Sequence, residues 1–93
     1  MSVRFAPRAL NQLAHIREYT VSRRADSAEL VRGRILATIE RLQQLPRIGH
    51  AGPIVGTREV TVPGLPYIIV YRIDVGDEDE LMVLGVFHAA QDR

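Results

Sequence analysis

Four side chains in the last third of the chain have the chemistry of an anion-binding or RNA-cleaving site: Arg58, Arg72, His88 and Arg93. Arginine gives planar, multiply donating contacts to phosphate or carboxylate groups. Histidine exchanges protons near neutral pH. Together such groups could promote attack of a ribose 2′-hydroxyl on the adjacent phosphate. A single histidine at a strand end is more often a packed or hydrogen-bonded residue, so a structural role for His88 is the alternative.

The spacing of the two central arginines suggests that they lie together. Side chains alternate between the faces of a strand, and if Val62 pairs with Ile68 across the PGLP turn, Arg58 falls opposite Arg72 with Cβ atoms about 5 Å apart. Two like charges in this position need an anion or acidic groups between them. Either each arginine reaches an acid of this chain, or the pair binds a partner's carboxylate or a phosphate. The candidate acids are Glu59, Glu78 and Glu80.

The other polar residues give no metal, cofactor or nucleophile motif. His50 lies in a glycine-rich segment and His15 lies on the first predicted helix, so the histidines are scattered. The chain has no cysteine and no acid cluster at ligand spacing. It has no phosphate-binding glycine loop and no nucleophile elbow. We therefore expect no metal and no cofactor.

Composition predicts one small folded domain covering residues 1–93. The chain is 46% apolar and 25% charged, which is typical of an ordinary folded protein. No apolar run approaches the roughly 20 residues of a membrane span. The N-terminus lacks a long apolar signal core and there is no cysteine, so we expect a cytoplasmic protein with no membrane association.

Charge is balanced overall but unevenly distributed. The net charge is +1, yet all twelve basic residues are arginine, and five of the eleven acids fall within residues 74–80. Outside that acidic turn the surface is therefore basic. The absence of lysine reflects either the codon usage of a GC-rich genome or a need for the planar contacts that arginine makes.

The hydrophobic pattern that must position these residues alternates between strand and helix signals. Pro7 suits the first turn of a helix, Asp26 and Glu29 form a capping-box pattern for a second helix, and Pro46 stops it. The predicted class is α+β, with the order β-α-α-β-β-β and a helical hairpin packed on one face of a small antiparallel-rich sheet. The predicted elements are strands at about 3–5, 58–62, 67–73 and 81–88, helices at about 8–22 and 26–45, and a surface loop at 47–56.

The predicted middle strand, YIIVYRI, is apolar on both faces. Strands of this kind are normally covered on both sides, whereas a two-helix layer covers only one. Either self-association or a partner chain must therefore shield part of the other face, or a large apolar patch stays exposed. We predict a partner protein.

The segments REVTVPGLPYIIVYRID and LMVLGVFHAAQDR, with this element order, resemble the RelE/ParE superfamily of bacterial toxins from type II toxin–antitoxin pairs. The resemblance covers essentially the whole chain, and its specific part runs from Gly56 to Gln91. It implies a partner antitoxin that wraps the toxin and, through the antitoxin, binding to operator DNA. It also implies a functional surface for antitoxin or target. The residues carried over to that surface are Arg58, Tyr71, Arg72 and His88, and Gln91 is a further candidate for binding antitoxin or target.

The superfamily divides by mechanism. RelE-like members cut messenger RNA on the ribosome, and ParE-like members poison DNA gyrase. This chain lacks lysine, has no tyrosine after Tyr71, stops at Arg93 and has a pI near 8.3, which is low for docking on ribosomal RNA. These departures favour a non-catalytic, ParE-like gyrase inhibitor. The alternative is a RelE-like mRNA endoribonuclease in which His88 is the acid or base and Arg58, Arg72 and Arg93 stabilise charge. A third possibility is an inactive, regulatory member that still binds antitoxin.

Overall fold

The computed structural model describes residues 1–90 as a five-stranded sheet with two helices. The strands are β1 (Ser2–Phe5), β2 (His50–Ala51), β3 (Arg58–Thr61), β4 (Tyr67–Asp74) and β5 (Glu80–His88), and the helices are α1 (Pro7–Arg23) and α2 (Ala25–Gln44). The predicted class, two helices packed on one small α+β sheet, is confirmed. The predicted order missed one element, because the two-residue strand β2 lies within the segment expected to be a loop.

The two helices form a hairpin with a single-residue connection. Pro7 occupies the first turn of α1, as predicted. Arg24 has extended backbone angles of φ −159° and ψ 124°, ends α1 and serves as the N-cap of α2. The predicted capping box at Asp26 is therefore wrong. The Asp26 carboxylate lies inside the first turn, where it accepts a hydrogen bond from the N–H of Ser27 and pairs with Arg24, and where a negative charge still suits the positive end of the helix.

The sheet is mixed, with strand order β1-β5-β4-β3-β2. β1 runs parallel to β5 and all other neighbours are antiparallel. This topology follows from the helical hairpin, because the chain leaves β1, crosses the sheet twice as helices and returns at the opposite edge. Beyond β1, helix α1 continues along β5, where the Val86 N–H donates to Gln12 Oε1 at 2.8 Å.

The register between β3 and β4 differs by one residue from the predicted one. Thr61 pairs with Ile68, and Arg58 therefore lies opposite Tyr71 rather than Arg72. The turn is tighter than expected, since the Val62 N–H donates to the Tyr67 carbonyl at 2.9 Å. A one-residue slip moves a side chain to the other face of a sheet, so the two arginines do not form a pair.

The core lies between the helices and one face of the sheet. It holds apolar residues of α2 and alternate residues of the two long strands. The fully or nearly buried members are Ile35, Ile39, Leu42, Tyr67, Ile69, Tyr71, Leu81, Val83 and Val86. On the other face of β4 and β5, the first turn of α1 reaches the end of β5, where the Arg8 guanidinium lies 4.8 Å from the centre of the Phe87 ring. There Phe87 packs across Gly85, whose Cα would carry a Cβ 2.5 Å from the ring, while Ile68 and Met82 stay half-buried.

Candidate functional site

Arg58 is bound to the backbone that follows α2. Its Nη1 donates to the carbonyl of Gly49 at 2.8 Å and to that of Arg47 at 3.3 Å. Carbonyl acceptors hold a guanidinium in place without neutralising it, so Arg58 keeps its full charge while fixing the path of the chain between α2 and β2.

Tyr71 fixes the same segment from inside the protein. The side chain is fully buried, its hydroxyl donates to the Pro46 carbonyl at 2.6 Å, and it accepts from the Gly49 N–H at 3.0 Å. Burial raises the pKa of the Tyr71 hydroxyl, although the Gly49 hydrogen bond and the charge of Arg58 act in the opposite direction. A Cβ on Gly49 would lie 2.8 Å from Cε1 of this ring, so only glycine permits the close approach. Tyr71 therefore positions the loop that follows α2.

Arg72 points to the other side of the sheet from its neighbour Tyr71. It is exposed, and its Nε lies 2.6 Å from Oδ1 of Asp74, two residues along the same face. That hydrogen bond and the charge of Asp74 raise the pKa of Arg72. The acid that pairs with this arginine thus comes from its own strand and is none of the three glutamates considered from the sequence.

His88 ends β5 at an exposed position. Its ring meets Tyr67 edge-on, with ring centroids 5.8 Å apart and planes at 89°, and Nδ1 accepts from the Ala90 N–H at 3.1 Å. These contacts fit the packed and hydrogen-bonded alternative stated for this residue. The remaining two sequence candidates, Gln91 and Arg93, lie outside the described residues.

The described candidates are separated rather than grouped. His88 pairs with Tyr67 and Arg72 is five residues further along β4, which places them about 16 Å apart along the strand and on opposite faces. Arg58 lies level with Tyr71 on β3, about 13 Å along and about 10 Å across from His88. Acid–base catalysis needs its groups within hydrogen-bond reach of one substrate. The three side chains instead mark three separate surface regions.

A groove between the helices is a surface that the search for catalytic residues missed. It has a volume of about 500 Å³. Its walls are mostly apolar, and Arg17, Glu29 and Arg32 stand among them. Val21 and Leu36 line it while remaining well exposed to solvent. The sequence signal was present, because Leu36 directly follows the buried Ile35 and so widens the apolar stripe of α2 beyond what the sheet can cover.

Within residues 1–90, no group of three or more metal-ligating side chains comes together. Neither helix within that range is long and apolar enough to cross a membrane.

Two helices on a mixed five-stranded sheet form a fold that is shared with solved structures of other bacterial proteins. The fold is similar to that of "Chromosomal ParDE TA system from P. aeruginosa", with a TM-score of 0.82, 21% identity and 95% of both chains covered. It is also similar to "YoeB/ParE toxin from Agrobacterium tumefaciens", with a TM-score of 0.64, 18% identity, and 95% of this chain and 98% of that chain covered.

Sequence comparison identifies the family. Residues 3–93 match the model of the "ParE toxin of type II toxin-antitoxin system, parDE". The chain is also 36% identical over 89 residues to a Sinorhizobium fredii (strain NBRC 101917 / NGR234) protein named "Putative toxin Y4kP", covering 96% of this chain and 88% of that protein. The chain belongs to the ParE toxin family, and the predicted resemblance to RelE/ParE toxins is confirmed on its ParE side.

Proposed function

We propose that this ParE-type toxin arrests growth by binding a protein target, DNA gyrase, and that it does so without cleaving RNA. The observation that carries the proposal is the separation of His88, Arg72 and Arg58. Arg58 is engaged by backbone carbonyls and Arg72 by Asp74, so neither is aimed at a substrate shared with His88. Surfaces of this kind suit binding better than catalysis. Gyrase is proposed because ParE-like members of the superfamily poison it.

The exposed candidates then become binding residues. Arg72 and His88 lie on the surface, and we propose that they contact the target or the antitoxin. Arg58 and Tyr71 contribute by holding the loop that follows α2 in place. Gln91 and Arg93 stay in the proposal as candidate binding residues on the basis of the sequence alone.

We further propose that a cognate antitoxin neutralises the toxin in the cytoplasm by covering the groove between α1 and α2. An apolar groove of this size suits the apolar face of a helix or an extended segment. The groove walls carry two arginines, Arg17 and Arg32, against one acid, Glu29, and this excess of positive charge favours an acidic antitoxin segment. The complex would reach operator DNA through the antitoxin, because the toxin's own net charge is only +1.

Two measurements test the target. The toxin is induced alone in a bacterium, growth is followed and transcript 5′ ends are mapped within minutes; purified toxin is then added to a gyrase supercoiling assay. We expect growth arrest, inhibited supercoiling and no new transcript ends phased to codons. Codon-phased ends that disappear in His88→Ala and Arg72→Ala variants would instead establish the ribosome-dependent nuclease.

A single charged substitution in the groove tests whether the antitoxin binds there. Leu36→Asp places a carboxylate among the apolar groove walls, and we expect antitoxin affinity to fall about a hundredfold or more, because an unpaired buried charge is costly. Leu30→Asp is the matched control, since Leu30 is exposed on the same helix outside the groove. If calorimetry gave both variants the same affinity for the antitoxin, the antitoxin would bind elsewhere, and the sheet face opposite the core would be the next candidate.

A further inference from the structure

The segment from Gly52 to Thr57, here called the 52–57 loop, places two large apolar side chains in solvent. Val55 is 99% exposed, more than any other large apolar residue of residues 1–90, and Ile54 beside it is 68% exposed. Turns usually carry glycine, proline, asparagine, aspartate or serine. Adjacent branched aliphatic residues at the tip of a turn are unfavourable in water, and such exposed apolar positions often mark interaction sites.

The 52–57 loop is closed by its own hydrogen bonds. The Gly52 N–H donates to the Thr57 carbonyl at 3.0 Å, while the Thr57 N–H and hydroxyl both donate to the Ile54 carbonyl, at 3.1 and 2.6 Å. Gly56 supplies the left-handed backbone that closes the turn, with φ +85°. These hydrogen bonds hold the tip in a closed turn, and a loop that is preorganised in this way loses less entropy on binding.

The base of the loop is held by buried groups of the sheet. Glu59, 3% exposed, packs beneath Gly52, where an added Cβ would lie 3.3 Å from its Cγ. His50 pairs with Glu59 across the short β2–β3 ladder. Arg58 and Tyr71 fix the segment that enters this ladder. Arg58 and Tyr71, two of the residues that carry the family resemblance, therefore hold in place the backbone that leads into the 52–57 loop.

The segment that carries the tip is basic, and Oε1 of its nearest acid in sequence, Glu59, lies 3.9 Å from His50 Nε2. Residues 45–58 include Arg47, His50 and Arg58 and no acidic residue, and the next acid, Glu59, is buried beneath the loop. An apolar tip on a segment that carries Arg47 and Arg58 and no exposed acid fits a protein pocket that is apolar inside and carries carboxylates around its rim, because complementary charge steers association and fixes register.

We propose that Ile54 and Val55 form the anchor by which this toxin enters an apolar, acid-rimmed pocket on its protein target. The proposal rests on the proposed function in one respect, namely that the target is a protein. The tip is distinct from the groove between α1 and α2, since none of the groove-lining residues comes from the 52–57 loop. The toxin thus has separate surfaces for the target and for the antitoxin.

The test is a double variant, Ile54→Ser with Val55→Ser, compared with a Val75→Ser control. Val75 is 76% exposed on the turn between β4 and β5, so it loses the same kind of group from a different exposed turn. Growth arrest after induction, antitoxin affinity and thermal unfolding are measured for each. We expect the double variant to need about thirtyfold more toxin for arrest, the effect typical of losing an interface hot spot, with unchanged antitoxin affinity and unfolding temperature.

Each other outcome overturns the proposal or separates it from the proposed target. Arrest by the double variant at wild-type dose refutes the anchor. Loss of antitoxin affinity in parallel with toxicity also refutes it, because the tip would then be an antitoxin surface. If wild-type toxin arrests growth but leaves gyrase supercoiling untouched, the gyrase proposal fails, while selective loss of arrest in the double variant still supports an anchor for another protein target.

Discussion

Removal of one oxygen atom from Tyr71 should destabilise the toxin more than its size suggests. Tyr71→Phe keeps the ring but deletes a hydroxyl that donates to the Pro46 carbonyl and accepts from the Gly49 N–H. Each buried partner left without a hydrogen bond costs about 1–3 kcal/mol. Partial access of water to the loop moderates this, so we expect a loss of about 3 kcal/mol, a large part of the roughly 5–15 kcal/mol that stabilises a domain.

The loss is measurable in two ways. In a domain of this size, about 3 kcal/mol lowers the unfolding temperature by about 12–24 °C, and urea unfolding gives the free energy directly. Amide hydrogen exchange at Gly49 should also accelerate, because its N–H loses its acceptor. Tyr19→Phe is the control, since it removes the same atom from an exposed ring and should change stability by no more than about 0.5 kcal/mol. Equal effects of the two substitutions would refute the clamp.

Two further predictions concern stability. Gly85→Ala should lower the free energy of unfolding in urea by about 1–3 kcal/mol, because the new methyl would lie 2.5 Å from the Phe87 ring. Gly76→Ala is the control and should lower it much less, because no atom lies within 4 Å of a Cβ built there. Equal losses of stability would contradict the packing of Phe87 across Gly85. Burial raises the pKa of both Tyr71 and Tyr67, so the stability they hold is complete below about pH 10 and is lost as pH rises through the folded-state values. Urea midpoints should therefore fall above about pH 10, and less steeply in Tyr71→Phe; parallel curves would refute the assignment.

The helices and the longer strands could be predicted from the sequence because the residue patterns that mark them are local. Pro7 marks the start of α1. The apolar residues of α2 recur every three or four positions, and the helix ends at Gln44, two residues before Pro46. The capping-box prediction failed because the turn between the helices is a single residue, so Arg24 already caps α2 and Asp26 falls inside it. Strand β2 was missed because two residues are too few for any periodicity; its existence depends on pairing with β3.

The β3–β4 register shows where local reasoning ends. The choice between Val62 and Thr61 as the partner of Ile68 depends on how the PGLP turn closes, and the sequence pattern allows both. With Val62 as the partner, Arg58 and Arg72 would face each other as an anion site; with Thr61, Arg58 stands beside Tyr71 and turns to the carbonyls of the preceding loop. The register therefore decides whether Arg58 contacts an anion beside Arg72 or the backbone of the preceding loop. Arg58, a candidate catalytic residue, and Tyr71, a candidate binding residue, hold a loop in shape, and we propose that the residues this loop presents form the surface that binds the target.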